Sequence, residues 1–348
     1  MTTRIIRHSE PLDFDSELRF AAEAIRRGEL VVFPTETVYG LGADATNPDA
    51  VADIFKAKGR PQDNPLIIHV AAPEDAERYT YTSDTYYRVA EAFMPGPITV
   101  VLPSRENIPA VTRAGLDTVA VRCPEHPLAR RLIGLAGCPI AAPSANLSGS
   151  PSPTSVEHVI EDMSGRCSVI IDGGNCDFGL ESTIVKIEDD GSLTLLRPGK
   201  ITVSDLEAIG LSVKVASAVT DRLADGEKVL SPGMKYRHYA PRAEVLLLDG
   251  DTDSIVNYAH GRVGERIAVI AYAEDVDRIG RDLPDAVVYN FGPKSDLEMQ
   301  AHSLFAILRE ADKENFDVIL APLPEGEGIG LALYNRMIRA AAHKIIRL

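Results

Sequence analysis

Apolar residues along the first 200 positions come in short blocks whose spacing alternates between two periods. In "LRFAAEAIRRG" (18–28) they recur three and four apart and the run stops at Gly28, which predicts a helix. The run that follows, "LVVFP" (30–34), predicts a strand. "DAVADIFKAKG" (49–59) is again helix-like, entered through "TNP" and closed by Gly59. "NPLIIHV" (64–70), "ITVVLP" (98–103), "TVAVRCP" (118–124), "PIAAPSAN" (139–146), "SVIIDGG" (168–174), "STIVKIE" (182–188) and "LTLLRPG" (193–199) are short β-type runs bounded by Gly, Pro, Asn or Asp. So many strands with interspersed helices predict a domain built on a mixed, twisted sheet.

From residue 244 the rhythm changes. "EVLLLD", "RIAVIAY", "AVVYNFG" and "VILAPLP" are uninterrupted apolar runs separated by helical stretches such as "DLEMQAHSLFAILREADKE", the alternation of a parallel, doubly wound sheet. Three regions follow: a first α/β domain over 1–210, a linker over 211–243 and a smaller Rossmann-like α/β domain over 244–348. The linker contains "SPGMKYRHYAPRA" (231–243), whose Tyr236, Arg237 and Tyr239 are too distinctive for an inert spacer. That makes it a candidate lid.

Composition narrows the class. With 348 residues, 45% of them apolar, there is material for two cores. No apolar stretch reaches the roughly 18 residues of a membrane span, and "MTTRIIRHSEPLDF" lacks the apolar segment of a signal peptide, so a cytoplasmic location is expected. Cys123, Cys138, Cys167 and Cys176 match neither a metal-binding pair nor a disulfide framework, and the histidines form no zinc motif. The net charge of -15 is shared by both halves, which weighs against tight polyanion binding unless a local groove gathers the cations.

Five polar clusters stand at the ends of apolar runs, where function in sheet proteins is usually carried. "PTETVYG" offers Thr35, Glu36, Thr37 and Tyr39, and "KAKGRPQDN" offers Lys56, Lys58, Arg60 and Asn64 on a helix end and turn. The second also reads as a solvated cationic helix terminus. His69 ends an apolar strand and equally suits a satisfied core histidine. Thr118 and Arg122 share one face of a strand, and an inward arginine requires an anionic partner from protein or ligand. "APSANLSGSPSPTS" gathers Ser144, Asn146, Ser148 and Ser152, alternatively a flexible Ser/Pro loop, while Ser182 and Thr183 start one later strand and Arg197 ends the next. Without a Walker-type loop or a paired nucleophile and base, this inventory suits ATP chemistry run by positioning and charge neutralisation, with Mg²⁺ screening the triphosphate.

Seven motifs in order, "PTETVYGLGADA", "KAKGRPQDNPLIIHV", "MPGPITVVL", "VAVRCPEHP", "APSANLSG", "ESTIVKI" and "LRPG", resemble the YrdC-like threonylcarbamoyl-AMP synthases across about residues 15–205. "SPGMKYRHYAP" and the closing "GIGLALYNRMIRAA" resemble the linker and extra C-terminal domain of the longer members. The resemblance implies a twisted mixed sheet with a concave cationic pocket. It also implies a reaction in which L-threonine, bicarbonate or CO₂, and ATP give L-threonylcarbamoyladenylate and pyrophosphate. A transferase of the Kae/TsaD type would then deliver the group to tRNA, which the synthase meets only indirectly.

Carried over motif by motif, the resemblance assigns Thr35, His69, Arg122 and Ser182 to threonine. It assigns Lys58, Arg60, Asn64, Thr118, Ser144, Asn146, Ser152 and Arg197 to ATP, with Lys58 and Arg60 at the reacting phosphates and no metal ligand among the side chains. Of Lys56 and Lys58, only one need face the pocket. Ala142 stands where some relatives carry a hydroxyl-bearing residue, so no side-chain contact is expected there. Two other readings remain: a cationic concavity for structured RNA, and a carbamoyl-transfer domain like those within hydrogenase-maturation proteins, whose acylphosphatase and zinc-finger regions are not found here.

Overall fold

In a computed structural model of the chain, residues 2–7, 14–221 and 239–348 are described, and they form two compact units. The first is organised by strands β1 (Arg4–Arg7), β2 (Val31–Phe33), β3 (Gly40–Asp44), β4 (Ile67–His69), β5 (Ile98–Pro103), β6 (Thr118–Arg122), β7 (Ile140–Ala141), β8 (Val169–Asp172), β9 (Thr183–Ile187), β10 (Leu193–Arg197) and β11 (Val213–Val215). They hydrogen-bond in the order β1-β8-β2-β3-β7-β4-β6-β5-β9-β10-β11. Parallel pairs such as β4 with β6 alternate with antiparallel pairs such as β5 with β6, giving the mixed sheet that the sequence pattern predicts. Helices α1 (Phe14–Arg26), α2 (Pro48–Lys58), α3 (Asp84–Phe93), α4 (Pro127–Ala136), α5 (Val156–Met163) and α6 (Val203–Ala208) connect them.

The sheet is held from one face by α1 and α4. Leu18, Ala21, Ala22 and Ile25 of α1 and Leu132 and Ile133 of α4 close over Val31, Phe33, Ile140, Val169 and Ile171. Each Leu, Ile or Phe so buried contributes about 1.5–3 kcal/mol, which makes this layer a rigid floor for the strand ends. Helix α2 begins where the Asn47 side chain accepts from the Asp49 and Ala50 amides and ends at Gly59, φ 64°, in the left-handed region. Its buried face is Ala50, Val51, Ile54, Phe55 and Lys58, so helical periodicity delivers a lysine to the interior.

Strand β3 was not legible as a strand because it carries Gly40 and Gly42. Close packing demands the glycines: a Cβ at residue 42 would lie 2.6 Å from Ile140 Cγ2 and 2.8 Å from the Phe33 ring. The edge strands β1 and β11 were also missed, being short and mostly exposed. β11 falls inside the stretch that the sequence assigns to a linker, so the first sheet reaches at least to Val215. All four cysteines are free, three of them buried, and burial pushes the Cys123 thiol up to about 11.

The second unit is a parallel sheet of β12 (Glu244–Asp249), β13 (Ile267–Ala271), β14 (Val287–Asn290), β15 (Val318–Pro322) and β16 (Ile345–Arg347), in the order β14-β13-β15-β12-β16. Its crossovers carry α7 (Thr252–His260), α8 (Val276–Asp282), α9 (Leu297–Lys313) and α10 (Ile329–Ala340). Two short segments from earlier in the chain, Gly149–Pro151 and Phe178–Leu180, belong to this unit as well. Among the described residues no helix is long and apolar enough to cross a membrane.

Candidate active site

Sheet register brings one group of predicted residues together at the ends of β4, β5 and β6. His69 is the parallel-pair partner of Arg122, and Thr99 is its antiparallel partner on the other side. Arg122 is buried and finds its anion in the protein: Nη2 donates to Glu36 Oε1 at 2.5 Å, while Glu36 Oε2 accepts from the Glu125 amide at 3.2 Å. The arginine's Nε is buried with no hydrogen-bond partner. Glu36 thus neutralises the guanidinium but leaves one of its donors unused.

His69 is almost fully buried, its ring set edge-on to Phe33 with centroids 5.9 Å apart. Nδ1 lies 3.3 Å from the Ile140 carbonyl. Burial, reinforced by the Arg122 charge, pushes the imidazole down to about 3, so at neutral pH it is uncharged. Thr99 Oγ1 and Ser182 Oγ are 2.8 Å apart, and Arg197 donates to Ser182 twice, from Nε to the carbonyl at 3.0 Å and from Nη2 to the hydroxyl at 3.1 Å. Residue 181, next in the chain, is a buried glutamate that accepts from Ser152 Oγ at 2.5 Å.

At Thr35, Oγ1 accepts from the Thr37 and Val38 amides, donates to the Val38 carbonyl at 2.6 Å and sits 2.8 Å from Thr37 Oγ1. The hydroxyl is spent on shaping its own turn, the local side-chain bonding that Thr readily makes. Tyr39 is likewise engaged, donating to the Gly174 carbonyl and accepting from the Gly173 amide.

The second group forms where α2 ends. Lys58 Nζ donates to the carbonyls of Ser144 at 2.5 Å and Asn146 at 2.6 Å, with Asn146 Oδ1 at 3.4 Å, and Ser144 Oγ bonds that same oxygen. Lys56, by contrast, is exposed and paired with Asp53, so Lys58 is the inward lysine. Arg60 is half-buried and its Nη2 lies 3.4 Å from the carbonyls of Asn64 and Pro65. Both side-chain polar atoms of Asn64 are buried and without a partner. An unpaired buried amide of this kind costs about 1–3 kcal/mol.

Thr118 stands apart from Arg122, four residues and so about 13 Å down the same strand. Carrying the parallel register two residues back from Ile67 and Ala120 sets it opposite Pro65, beside Asn64. The two groups are joined through the backbone: Ser144 bridges Gly40, the Ala145 amide donates to Tyr39, and the Tyr39 amide donates to Pro153. Ala142 is buried, its amide bound to the Ile67 carbonyl, with only a methyl to offer. Tyr236 and Arg237 lie outside the described residues. Tyr239 is buried in the second unit, stacked at 5.1 Å on Phe305 of α9, with φ at 62°.

Sequence reading missed three participants: Glu36 as the partner of Arg122, Thr99, and Glu181. The signal for Glu36 was present, since an inward arginine calls for an anion, but the pairing spans 86 residues and depends on strand order. Among these described residues, Lys58, Arg60, Arg122 and Arg197 oppose Glu36 and Glu181. The site is therefore locally cationic inside a chain of net charge -15. No three His, Cys, Asp or Glu side chains converge as a metal cage among the described residues, and the two carboxylates are already engaged.

Such an arrangement defines a class: buried cations and hydroxyls gathered at the strand ends of a mixed sheet, a setting suited to positioning anionic ligands. Residues 23–199 match the family described as telomere recombination (Sua5_yciO_yrdC), and residues 201–342 match the threonylcarbamoyl-AMP synthase C-terminal domain (Sua5_C). The chain belongs to the Sua5/YciO/YrdC family, in its two-domain form. It is 45% identical over 334 residues to the threonylcarbamoyl-AMP synthase of Pyrococcus abyssi, covering 95% of this chain and 96% of that one. The corresponding Bacillus subtilis enzyme is 43% identical over 340 residues, 96% and 95% of the two chains. In structure it is similar to P. abyssi Sua5 complexed with L-threonine, with a TM-score of 0.88, 42% identity and full coverage of both chains. The resemblance to the family and the two-domain α/β fold class are borne out.

Proposed function

We propose that this chain is a threonylcarbamoyl-AMP synthase that joins L-threonine, bicarbonate or CO₂, and ATP into L-threonylcarbamoyladenylate, releasing pyrophosphate. The observation that carries the reading is that two of the assigned residues hold buried donors without a hydrogen-bond partner, Arg122 Nε in one group and the Asn64 amide in the other. The threonine carboxylate suits Arg122, with neutral His69, Ser182 and the Thr35 turn completing that end. Asn64, Arg60, Lys58, Thr118 and the Ser144–Asn146 turn suit the nucleotide and its phosphates, with Ser152 and Arg197 between.

In this reading, the unprotonated threonine amine and bicarbonate yield a carbamate and water, or the amine and CO₂ yield a carbamate and a proton. A carbamate oxygen then bonds to the α-phosphorus as the bond to the bridging oxygen of pyrophosphate breaks. The chain's part is to hold two anions together: Lys58, Arg60 and Arg197 offset charge that would otherwise keep them apart. His69 adds no further positive charge because burial keeps it neutral. Divalent metal would arrive on the ATP phosphates and screen them, since side chains among the described residues make no cage for it. The product suits a downstream Kae/TsaD-type transferase, with tRNA reached only through that partner. An RNA-binding role fits poorly, because Lys58, Arg122 and Arg197 are 3, 4 and 7% exposed, beyond the reach of a polymer backbone.

The test is pyrophosphate release from ATP with threonine and bicarbonate omitted in turn. Release that needs both, and that falls at least a hundredfold in Arg122→Ala and Lys58→Ala, supports the proposal. Release indifferent to threonine would sink it.

A further inference from the structure

We propose that helix α9 of the second unit positions the pocket pair Ser152 and Glu181, with Arg309 as the positioning residue. The two pocket residues are hydrogen-bonded to one another, Ser152 Oγ to Glu181 Oε1, and both are buried. Each is the first residue of the pocket unit after the chain returns from the second unit, Ser152 after Gly149–Pro151 and Glu181 after Phe178–Leu180. Both excursions are held by the same helix.

On the first, Arg309 Nε and Nη2 both donate to the Pro151 carbonyl, at 3.1 and 2.7 Å, and the Ala240 amide donates to the Gly149 carbonyl at 2.9 Å. A guanidinium only 7% exposed that directs two donors at one carbonyl makes a strong, directional tether. On the second, Gly179 has φ at 85°, and a Cβ there would lie 2.7 Å from His302 Cα and 2.8 Å from the His302 carbonyl oxygen. The chain thus presses directly on the backbone of α9. His302 and Arg309 are seven residues apart, two turns of one helix, and so lie on one face.

Transmission from Pro151 to Ser152 is short and stiff. In "PSP" the ring of Pro151 fixes its φ, Ser152 is confined by the proline that follows, and the Pro153 carbonyl is held by the Tyr39 amide. All four residues from Pro151 to Thr154 are buried, so the Ser/Pro-rich segment is an ordered strut where composition suggests a flexible loop.

This inference rests on the ATP-binding reading of Ser152, and its test separates the two. In full-length Arg309→Met, KM for ATP should rise about tenfold while calorimetric threonine binding stays within twofold, and Arg309→Lys, which keeps a cationic donor, should recover most of the loss. Amide hydrogen exchange gives a readout independent of catalysis: protection at Thr154 and Thr183 should drop in Arg309→Met while β4 and β6 keep theirs. Should Arg309→Met not fold, Arg309→Lys carries both measurements, with the same pattern at smaller amplitude. Unchanged exchange at those amides, a uniform rise over the chain, or equal losses for ATP and threonine would overturn the inference. Exchange that behaves as expected in a protein whose pyrophosphate release ignores threonine would overturn the functional reading and leave the tether standing.

Discussion

Replacing Glu36 with glutamine tests the electrostatics of the pocket most directly. The Arg122–Glu36 pair is 2.5 Å long with side chains 5 and 6% exposed, so neither charge has water to fall back on. Deleting one member of such a pair typically costs about 3–5 kcal/mol, because the other is left as an uncompensated buried charge. Glutamine keeps an oxygen for Arg122 Nη2 but turns its amide toward the Glu125 N–H, exchanging the 3.2 Å bond for two opposed donors. The retained acceptor places the expected loss near the lower end, about 3 kcal/mol, or two orders of magnitude in the folding equilibrium. The missing anion can be supplied from outside: threonine brings a carboxylate, so it should stabilise Glu36→Gln more than the wild type. Urea unfolding followed by circular dichroism, with and without L-threonine, reads both effects in the transition of the first unit. A loss below about 1 kcal/mol, the range of solvent-exposed pairs, or equal stabilisation of both proteins by threonine would refute the argument.

The other expectations concern burial and packing. His69 ordinarily titrates near 6.5 but only near 3 in the folded chain, so below pH 6.5 the unfolded state takes up a proton that the native state refuses. Stability therefore falls as pH drops toward 3, by at most about 1.4 kcal/mol per pH unit from this group, and His69→Gln should flatten that limb; parallel profiles for the two proteins would contradict it. Gly42→Ala should lose about 1–3 kcal/mol in denaturant unfolding, since its methyl meets Ile140 and Phe33 inside contact distance, and an unchanged midpoint would mean that β2 and β7 give way without cost.

What the sequence made legible follows from which interactions are local. Helix α2 was readable because its signals lie within it: Asn47 and Pro48 at the start, Gly59 at the end, apolar spacing between. The same spacing separates inward Lys58 from outward Lys56, a distinction that needs only helical geometry. The strand carrying Arg122 was readable, and so was its need for an anion, but the identity of that anion was not. Glu36 reaches Arg122 only because β3, β7, β4 and β6 stand in that order, information that no local window contains. Strand β3 was hidden by the glycines that its packing requires. At Thr35 the hydroxyls were legible, but not the four bonds within residues 35–38 that shape their turn.

The outermost pairing of the first sheet has a consequence in time. Strand β1, at residues 4–7, takes its hydrogen bonds from β8 at residues 169–172, and β2 leans on the same strand. At about 5–20 residues per second of synthesis, β1 must wait on the order of 10–30 s for its partner to be made. During that interval Ile5 and Ile6 are without the strand that they pair with in the native sheet. The strand is four residues long with an arginine at each end, short and charged enough to stay unpaired until β8 emerges.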